Sequence, residues 1–323
     1  MKRVGLYLGG RCPPNMEAYL DALLFYLDFN TIDIITLQNC SLPSWLVDDN
    51  RVAIRRYAID AGEGLNMVWG AAKATRKYAS EYSPKTIRQI TQPRWHAPGI
   101  ILGTKEINVR IKTRASASMF TEHRTADRRL RSFAANNVLG RAVFLSDTLY
   151  TPKYGAIDNP WWSPAETVVE ERKINQDRFS PDAEPLPDLF NQSTHRVVSV
   201  GRVSKQKGMD LLLEAAGNLP EWEFSIVGPI RDQNLADSLN ARKNISLYGS
   251  VRYVDMPRVY AAGDVLLSAS RLEWGGISRA MLEARAVEVP VVALDIEDAA
   301  EVADVVVSES ADAIVSGLKK SIK

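Results

Sequence analysis

The stretch 272–292 constrains the fold of this chain most strongly. A short apolar strand, 264–267, leads through a loop into a helix over about 277–287, and a second apolar strand follows at once. This order predicts a β-α-β unit with parallel strands. In parallel sheets, ligands bind beyond the carboxyl ends of the strands, beside helix N-termini. We therefore expect a ligand at the loop that carries Glu273 and the glycine pair 275–276.

The same strand, loop, helix and strand order begins each half of the chain, at Arg3 and again at Arg196. Such alternation is typical of a doubly wound α/β domain, an open parallel sheet with helices on both faces. In the first half it predicts strands over 3–8, 32–37, 52–58, 87–91, 109–114 and 141–146, and helices over 16–28, 67–78, 122–136 and from about Pro98. In the second half it predicts strands over 196–200, 223–227 and 245–248, and helices over 208–219, 233–242 and 255–263.

The boundary between the halves is predicted from a change in composition. Six prolines crowd the region 151–190, which shows little periodicity. A chain of 323 residues is long enough for two domains, each with its own core. We expect an N-terminal domain over 1–190, which includes this proline-rich linker, and a C-terminal domain over 191–323.

Composition excludes several classes of protein. The chain is 46% apolar and 24% charged, and no apolar run approaches the roughly 18 residues of a membrane span. Its two cysteines provide neither a disulfide framework nor a metal cluster. Residues 1–10 lack the layout of a signal peptide, so we expect a cytoplasmic protein.

Positive charge is concentrated in one part of the chain. Residues 51–150 contain 18 Lys and Arg against 7 Asp and Glu, whereas 191–323 contain 15 against 18. This excess predicts an anionic acceptor or a peripheral contact with an anionic membrane, although solvated helix faces would leave the same pattern. Since no aromatic residues are interleaved in a basic motif, no nucleic-acid partner is expected.

A glycine loop follows the strand 196–200. Gly201 is followed by Arg202 and Lys207, and a helix opens at Gly208. Two cations beside a helix N-terminus suit a diphosphate, and arginine binds such oxygens in bidentate fashion. The loop is neither a Walker motif nor the Gly-x-Gly-x-x-Gly fingerprint of dinucleotide oxidoreductases. A turn with solvated cations is the alternative interpretation.

Further motifs recur in a characteristic order, namely Tyr248-Gly-Ser-Val251, Val259-Tyr-Ala-Ala-Gly-Asp264, Ser268-Ala-Ser-Arg271, Met281-Leu-Glu-Ala284 and Val289-Pro-Val-Val-Ala293. With the glycine loop, this set resembles the C-terminal domain of the retaining glycosyltransferases of family 4, over about residues 175–305. The resemblance implies the GT-B fold, with two doubly wound, Rossmann-like domains that face each other across a cleft. It also implies transfer of a sugar from a UDP- or GDP-sugar to an acceptor hydroxyl, with retained anomeric configuration.

The resemblance implies a role for each matching residue. Arg202 and Lys207 would hold the donor diphosphate and stabilise the negative charge that develops on the leaving group. Fixed cations contribute most to the rate at such a position. Glu273 would contact the donor sugar, and Glu283 the ribose hydroxyls. The remaining donor-binding residues would be Gly201, Gly228, Tyr248, Val251, Gly276, Ile277 and Ser278. The acceptor, a glycan, lipid-linked or protein hydroxyl, would bind the first domain. Members of the family generally need no cofactor and no divalent metal.

The first domain is predicted to contribute Gly9 and Gly10, in the loop after the first strand, and a histidine. His123 is the predicted catalytic histidine, and His96 is the alternative; either would equally suit a structural role. The sequence departs from the family in one respect that bears on catalysis, because Glu273 and Glu283 have nine residues between them rather than the usual spacing of seven. A catalytically weakened GT-B scaffold that binds a nucleotide-sugar or a protein partner is therefore the second hypothesis.

Overall fold

The computed structural model describes residues 3–29, 31–60, 62–91, 93–115, 139–151, 160–191, 195–273, 277–296 and 298–322. The chain divides into two compact units. Unit 1 comprises Met1–Leu20 and Leu24–Glu171, and unit 2 comprises Asp21–Leu23 and Arg172–Lys323. In the described residues no helix is long and apolar enough to cross a membrane.

Unit 1 is built on a seven-stranded parallel sheet with the order β3-β2-β1-β4-β5-β6-β7. Its strands are β1 (Arg3–Gly9), β2 (Thr31–Leu37), β3 (Val52–Tyr57), β4 (Thr86–Gln89), β5 (Arg110–Arg114), β6 (Thr148–Thr151) and β7 (Glu166–Val169). Its helices are α1 (Pro14–Tyr26), α2 (Ser44–Val47), α3 (Leu65–Tyr82) and α4 (Pro93–Thr104). Residues Val4 to Gly9 of β1 are all buried, as expected of a central strand covered on both faces.

Two glycines set the distance between α3 and α4. A Cβ atom on Gly99 would come within 2.2 Å of the Val68 carbonyl oxygen, and one on Gly103 within 2.3 Å of the Ala72 carbonyl oxygen. Only glycine therefore allows the two helix backbones to pack this closely. The predicted start of α4 near Pro98 is wrong, because Pro98 lies inside a helix that begins at Pro93.

The stretch 141–146 is not the predicted strand. Gly140–Leu145 forms a 3₁₀ helix, and strand β6 follows it at Thr148. Val143 and Phe144 are buried in a cluster with Ala97, Leu149 and other small apolar side chains. A short apolar run fits a buried strand and a buried helical turn equally well, so periodicity could not separate the two. The predicted helix over 122–136 lies outside the described residues.

Unit 2 contains a six-stranded parallel sheet with the order β10-β9-β8-β11-β12-β13. Its strands are β8 (Arg196–Val200), β9 (Glu223–Val227), β10 (Ile245–Gly249), β11 (Val265–Ser268), β12 (Val291–Leu294) and β13 (Val305–Val307). Its helices are α5 (Met209–Gly217), α6 (Gln233–Asn240), α7 (Met256–Ala261), α8 (Arg279–Ala286) and α9 (Ala311–Ser321). The core combines apolar side chains of the central strands with those of α5, α6 and α9.

Candidate functional site

The strand order of unit 2 fixes where a ligand can bind. From β8 the chain proceeds through β9 and β10 on one side, and then crosses to β11, β12 and β13 on the other. Strands β8 and β11 are hydrogen-bonded neighbours. Ligands of open α/β sheets bind in the crevice at such a switch point, beyond the carboxyl ends of the strands. The loops after β8 and β11 therefore form the candidate site.

The loop after β8 is pinned by Gly208. This residue has a φ of +66°, and a Cβ atom on it would lie 1.9 Å from the Ala269 carbonyl oxygen. Glycine is thus required both by the left-handed backbone and by the close approach to the loop after β11. The pinned backbone holds Lys207, the last residue of a 3₁₀ turn, beside that loop. Arg202 is exposed, and it forms no ion pair with the residues that the structure describes.

Lys207 and Glu273 meet at this crevice. The Lys207 ammonium donates a hydrogen bond to Glu273 Oε1, and the two side chains are only 19% and 12% exposed. On the other side, Arg172 Nη1 lies 3.9 Å from Glu273 Oε2 and donates to the Ile277 carbonyl oxygen at 2.6 Å. Contacts with two cations on opposite sides hold the carboxylate in one orientation. Lys207 and Glu273, predicted from different loops, are thus brought together.

Arg271 connects the two loops, a role that the sequence analysis missed. Its backbone N–H donates to the Gln206 carbonyl oxygen at 3.0 Å, and its guanidinium donates to the Lys205 carbonyl oxygen. The same guanidinium forms a bidentate pair with Asp210, at 2.7 and 3.0 Å. The sequence signal was the Ser268–Arg271 motif, but nothing in it indicates partners that lie some 60 residues away.

Three glycines, Gly201, Gly228 and Gly249, lie at the carboxyl ends of successive strands. A Cβ atom on Gly228 would lie 2.0 Å from the Gly201 carbonyl oxygen, so the loops after β8 and β9 touch through their backbones. The Gly228 N–H donates to the Gly249 carbonyl oxygen at 2.8 Å. Tyr248, 39% exposed, and Val251, half-buried, lie at the end of β10. Strand β10 is two strands from β8, about 10 Å away.

Glu283 is almost completely buried. Ile277 and Ser278 directly precede α8, whereas Glu283 lies within the helix and is 4% exposed. The Tyr260 hydroxyl donates to Glu283 Oε2 at 2.7 Å. Burial raises the pKa of Glu283 to about 7, although the nearby Arg279 guanidinium opposes this change. Gly276 lies outside the described residues.

In unit 1 the corresponding switch point lies between β1 and β4. Gly9 ends β1 with a φ of +78°, and a Cβ atom on it would lie 3.2 Å from His96 Cε1. His96 is 3% exposed, and its Nδ1 has no hydrogen-bond partner among the described residues. Burial lowers the pKa of His96 to about 4, so the ring is neutral at pH 7. Gly10 follows, half-buried, and His123 lies outside the described residues.

Among the described residues no group of three or more His, Cys, Asp or Glu side chains is arranged to hold a metal ion. The positive charges of Lys207, Arg202 and Arg172 are the features of the unit 2 site that attract an anion. Their arrangement, with glycine backbone at three strand ends, suits the oxygens of a phosphorylated ligand.

Comparison with known proteins supports this interpretation for the second half of the chain. A family model described as "Glycosyl transferases group 1" matches residues 194–322. An uncharacterised 41.2 kDa protein in the cps region of Klebsiella pneumoniae is 31% identical over 108 residues. That match covers 33% of this chain and only 29% of the relative.

Solved structures resemble the whole chain. Sucrose-phosphate synthase from Thermosynechococcus elongatus superposes with a TM-score of 0.69 at 14% identity, covering 99% of this chain and 89% of that one. Anabaena HepE in complex with UDP and glucose gives 0.68 at 14% identity, covering 100% and 90%. A putative UDP-N-acetylglucosamine 2-epimerase from Listeria monocytogenes gives 0.63 at 12% identity, covering 99% and 88%. The chain thus has two parallel-sheet α/β domains that match GT-B glycosyltransferase structures, and its residues 194–322 match the group 1 glycosyltransferase model.

Proposed function

We propose that the chain is a retaining glycosyltransferase that moves a sugar from a UDP- or GDP-sugar to the hydroxyl group of a glycan, lipid-linked or protein acceptor. In this reaction the bond between the anomeric carbon and the diphosphate oxygen breaks. The acceptor oxygen bonds to the same carbon and its proton is released. The observation that carries the proposal is the Lys207–Glu273 pair at the switch point of a unit that matches the group 1 model.

Lys207 and Arg202 would bind the diphosphate and stabilise the charge of the leaving group. Lys207 is paired with Glu273, so a diphosphate would compete with this carboxylate for the ammonium group. Glu273 would then keep Arg172 as its partner and turn a free oxygen to the donor sugar. Because these cations supply the positive charge, we propose that no metal and no cofactor is required.

The remaining residues would complete the site. Backbone N–H groups of Ile277 and Ser278, at the start of α8, would meet the phosphates. Glu283 would hold the ribose through its second oxygen, since Oε2 is taken by Tyr260. In unit 1, the neutral His96 beside Gly9 would donate or accept a hydrogen bond without adding charge. We also propose that unit 1 binds the acceptor. The protein would act in the cytoplasm or at the periphery of a membrane.

A specific observation favours the second hypothesis, a catalytically weakened scaffold. Both glutamates that the resemblance assigns to the donor are engaged with protein partners, Glu273 with Lys207 and Glu283 with Tyr260. With nine residues between them rather than seven, they also depart from the family spacing. Such a protein would bind a nucleotide-sugar without releasing the nucleotide.

Calorimetric titration with UDP, GDP, UDP-glucose and GDP-mannose tests the proposal. Lys207→Met should weaken binding of the preferred nucleotide about 10- to 100-fold, because a charge-assisted hydrogen bond contributes about 1.5–3 kcal/mol. The matched control is Lys205→Met, which removes an exposed lysine from the same 3₁₀ turn and should change binding less than twofold. Equal weakening in both variants would reject the site.

Release of free nucleotide from the bound donor separates the two hypotheses. A transferase should release UDP or GDP with acceptor mixtures, or slowly with water as acceptor, and Lys207→Met should lose this activity. Tight binding with no release in wild type would favour the scaffold.

A further inference from the structure

One face of the unit 1 sheet carries an unusual concentration of charge at its carboxyl edge. Lys112 and Arg114 are two residues apart on β5 and therefore point to the same face. Arg88 on β4 is the register partner of Lys112, and Tyr150 on β6 is the register partner of Arg114. These four side chains form what we call the basic cluster. The opposite face carries the buried Ile87, Ile111 and Leu149.

The basic cluster is held in place by aromatic rings and by one carboxylate. The Arg88 guanidinium lies 4.1 Å from the centroid of the Tyr150 ring, and that of Arg114 lies 4.3 Å from the Tyr19 ring. Arg88 also donates to Glu170, which directly follows β7, and Arg114 Nε donates to the other Glu170 oxygen at 3.2 Å. Lys112 Nζ donates to the Tyr150 hydroxyl at 3.3 Å.

Among the described residues, the positive charge of the basic cluster exceeds the negative charge that pairs with it. Glu170 pairs with Arg88 and with Arg114, and Lys112 forms no ion pair with the described residues. The Arg88 side chain is only 8% exposed, and its buried Nε has no hydrogen-bond partner in the described part of the chain. A buried cation is costly unless it is paired, and here one carboxylate is shared by two guanidinium groups. Arg114 is 38% exposed, which leaves donors of its guanidinium open to a ligand.

The position of the cluster matches a ligand site. Arg114 ends β5 and Tyr150 is next to the end of β6, so both lie at the edge where ligands of parallel sheets bind. Two or three cations on a rigid sheet, already oriented by stacking on aromatic rings, match the oxygens of a phosphate or carboxylate.

We propose that the basic cluster binds an oxyanion of the acceptor, a phosphate or a carboxylate, and so restricts transfer to acidic acceptors. This rests on the proposed function, since it describes the acceptor of that reaction. Arg114 and Lys112 contact the anion, and the buried Arg88 next to them supplies further positive charge.

The test is a titration of the full chain, saturated with UDP, with inorganic phosphate and with glucuronate at constant ionic strength. Wild type should bind at least one of these probes saturably, and the probe that binds identifies the anion as phosphate or carboxylate. Arg114→Gln should weaken that binding at least tenfold, or about 1.4 kcal/mol. Lys112→Gln should weaken it in the same direction, which guards against a fold defect specific to one variant.

Arg110→Gln is the matched control. Arg110 is exposed and lies on the same strand and the same face as Arg114, about 13 Å away at the other end of β5. Its substitution by Gln removes the same charge as Arg114→Gln does. It should leave binding within twofold of wild type. Saturable binding of neither probe, or equal weakening by Arg110→Gln and Arg114→Gln, would overturn the oxyanion site.

The two proposals fail separately. Repeating the phosphate titration in Lys207→Met removes the other candidate phosphate site without the need for UDP. Phosphate binding that survives Arg114→Gln in that background overturns the basic cluster whatever the nucleotide titration gives. Nucleotide binding that survives Lys207→Met overturns the donor site whatever the phosphate titration gives.

Discussion

At the scale of single residues, Glu283 shows how burial changes the chemistry of a carboxyl group. It is 4% exposed and accepts a hydrogen bond from Tyr260, and burial raises its pKa to about 7. Near neutral pH the group is therefore divided between its acid and its carboxylate. The carboxylate accepts hydrogen bonds from ribose hydroxyls more strongly than the protonated acid does. Donor binding through Glu283 should therefore strengthen as pH rises.

Stability should change with pH in the opposite direction. The folded-state pKa of Glu283, about 7, exceeds the roughly 4.3 of the unfolded chain, so the folded state holds more protons between these values. This group therefore stabilises the fold less as pH rises from about 4.5 to 7. Glu283→Gln has no group at this position that titrates, so it does not lose stability in this way. The free energy of unfolding of the variant minus that of wild type should therefore increase by about 3 kcal/mol between pH 4.5 and 8.

Urea unfolding across this pH range measures the Glu283 effect. Glu214→Gln is the control, because it removes an exposed carboxylate from α5, and its curve should run parallel to that of wild type. Parallel curves for Glu283→Gln as well would show that the buried group does not titrate between the two states.

The sequence predicted that Lys207 and Glu273 belong to one site but not that they form an ion pair or what positions them. Both follow strands that doubly wound topology makes neighbours, so their meeting was foreseeable from residue type and order. Arg271 was not, since its partners are carbonyl oxygens and the distant Asp210. The burial of Glu283 against Tyr260 depends on the packing of α7 and α8, which no local pattern encodes.

At the scale of elements, a comparison of Gly208 with Gly249 distinguishes the cost of backbone strain from the cost of steric overlap. Gly208 and Gly249 both have positive φ, +66° and +85°. A Cβ atom on Gly208 would meet the Ala269 carbonyl oxygen at 1.9 Å, whereas one on Gly249 would meet nothing within 4 Å. The pair thus differs mainly in the space available for a side chain.

Gly249→Ala should cost about 1–2 kcal/mol, the price of a left-handed backbone for alanine. Gly208→Ala should cost more, because the loop must also move away from β11, and it should weaken nucleotide binding through the displaced Lys207. Urea unfolding and nucleotide titration of both variants measure this. A Gly208→Ala variant that matches Gly249→Ala in both properties would contradict the close approach.

Most strands and helices were predictable because each combines an apolar run with a turn signal. Strand β7 was not predicted, since Glu166–Val169 is largely exposed and lacks an apolar face. Strand β13 and helix α9 were also missed, although α9 carries a usable signal. Ser310 caps it by accepting from the Ala313 N–H at 3.2 Å, and Ile314 and Leu318 are buried one turn apart.

At the scale of the whole molecule, the positive charge concentrated in 51–150 is partly balanced within unit 1. Arg55 pairs with Asp33, Arg51 with Asp49, and Arg76 with Glu106. Contact with an anionic membrane stays a prediction. It should weaken with added salt, because exposed charges are screened over about 10 Å at 0.1 M. Vesicle co-sedimentation at two salt concentrations measures it, and salt-independent binding would count against it.

Hydrogen exchange of the full chain should assign the donor to one unit. At 100 times its dissociation constant a nucleotide stabilises the protein by about 2.7 kcal/mol. We expect slower exchange in 196–208 and 223–228 and around Ile277, with little change in β2 and β3 of unit 1. Protection confined to unit 1 would reject the donor site in unit 2.

The crossing from β10 to β11 has a consequence for synthesis on the ribosome. Strand β8 can pair with β9 early, but its other edge has no partner until β11 (Val265–Ser268) is made, 69 residues after the start of β8. At roughly 5–20 residues per second, that edge stays open for about one to a few seconds after β10 has been made. The waiting strand, Arg-Val-Val-Ser-Val, is rich in β-branched residues, and open edges of this kind recruit other chains. We therefore expect the yield of native protein to depend on translation speed between Gly249 and Ser268.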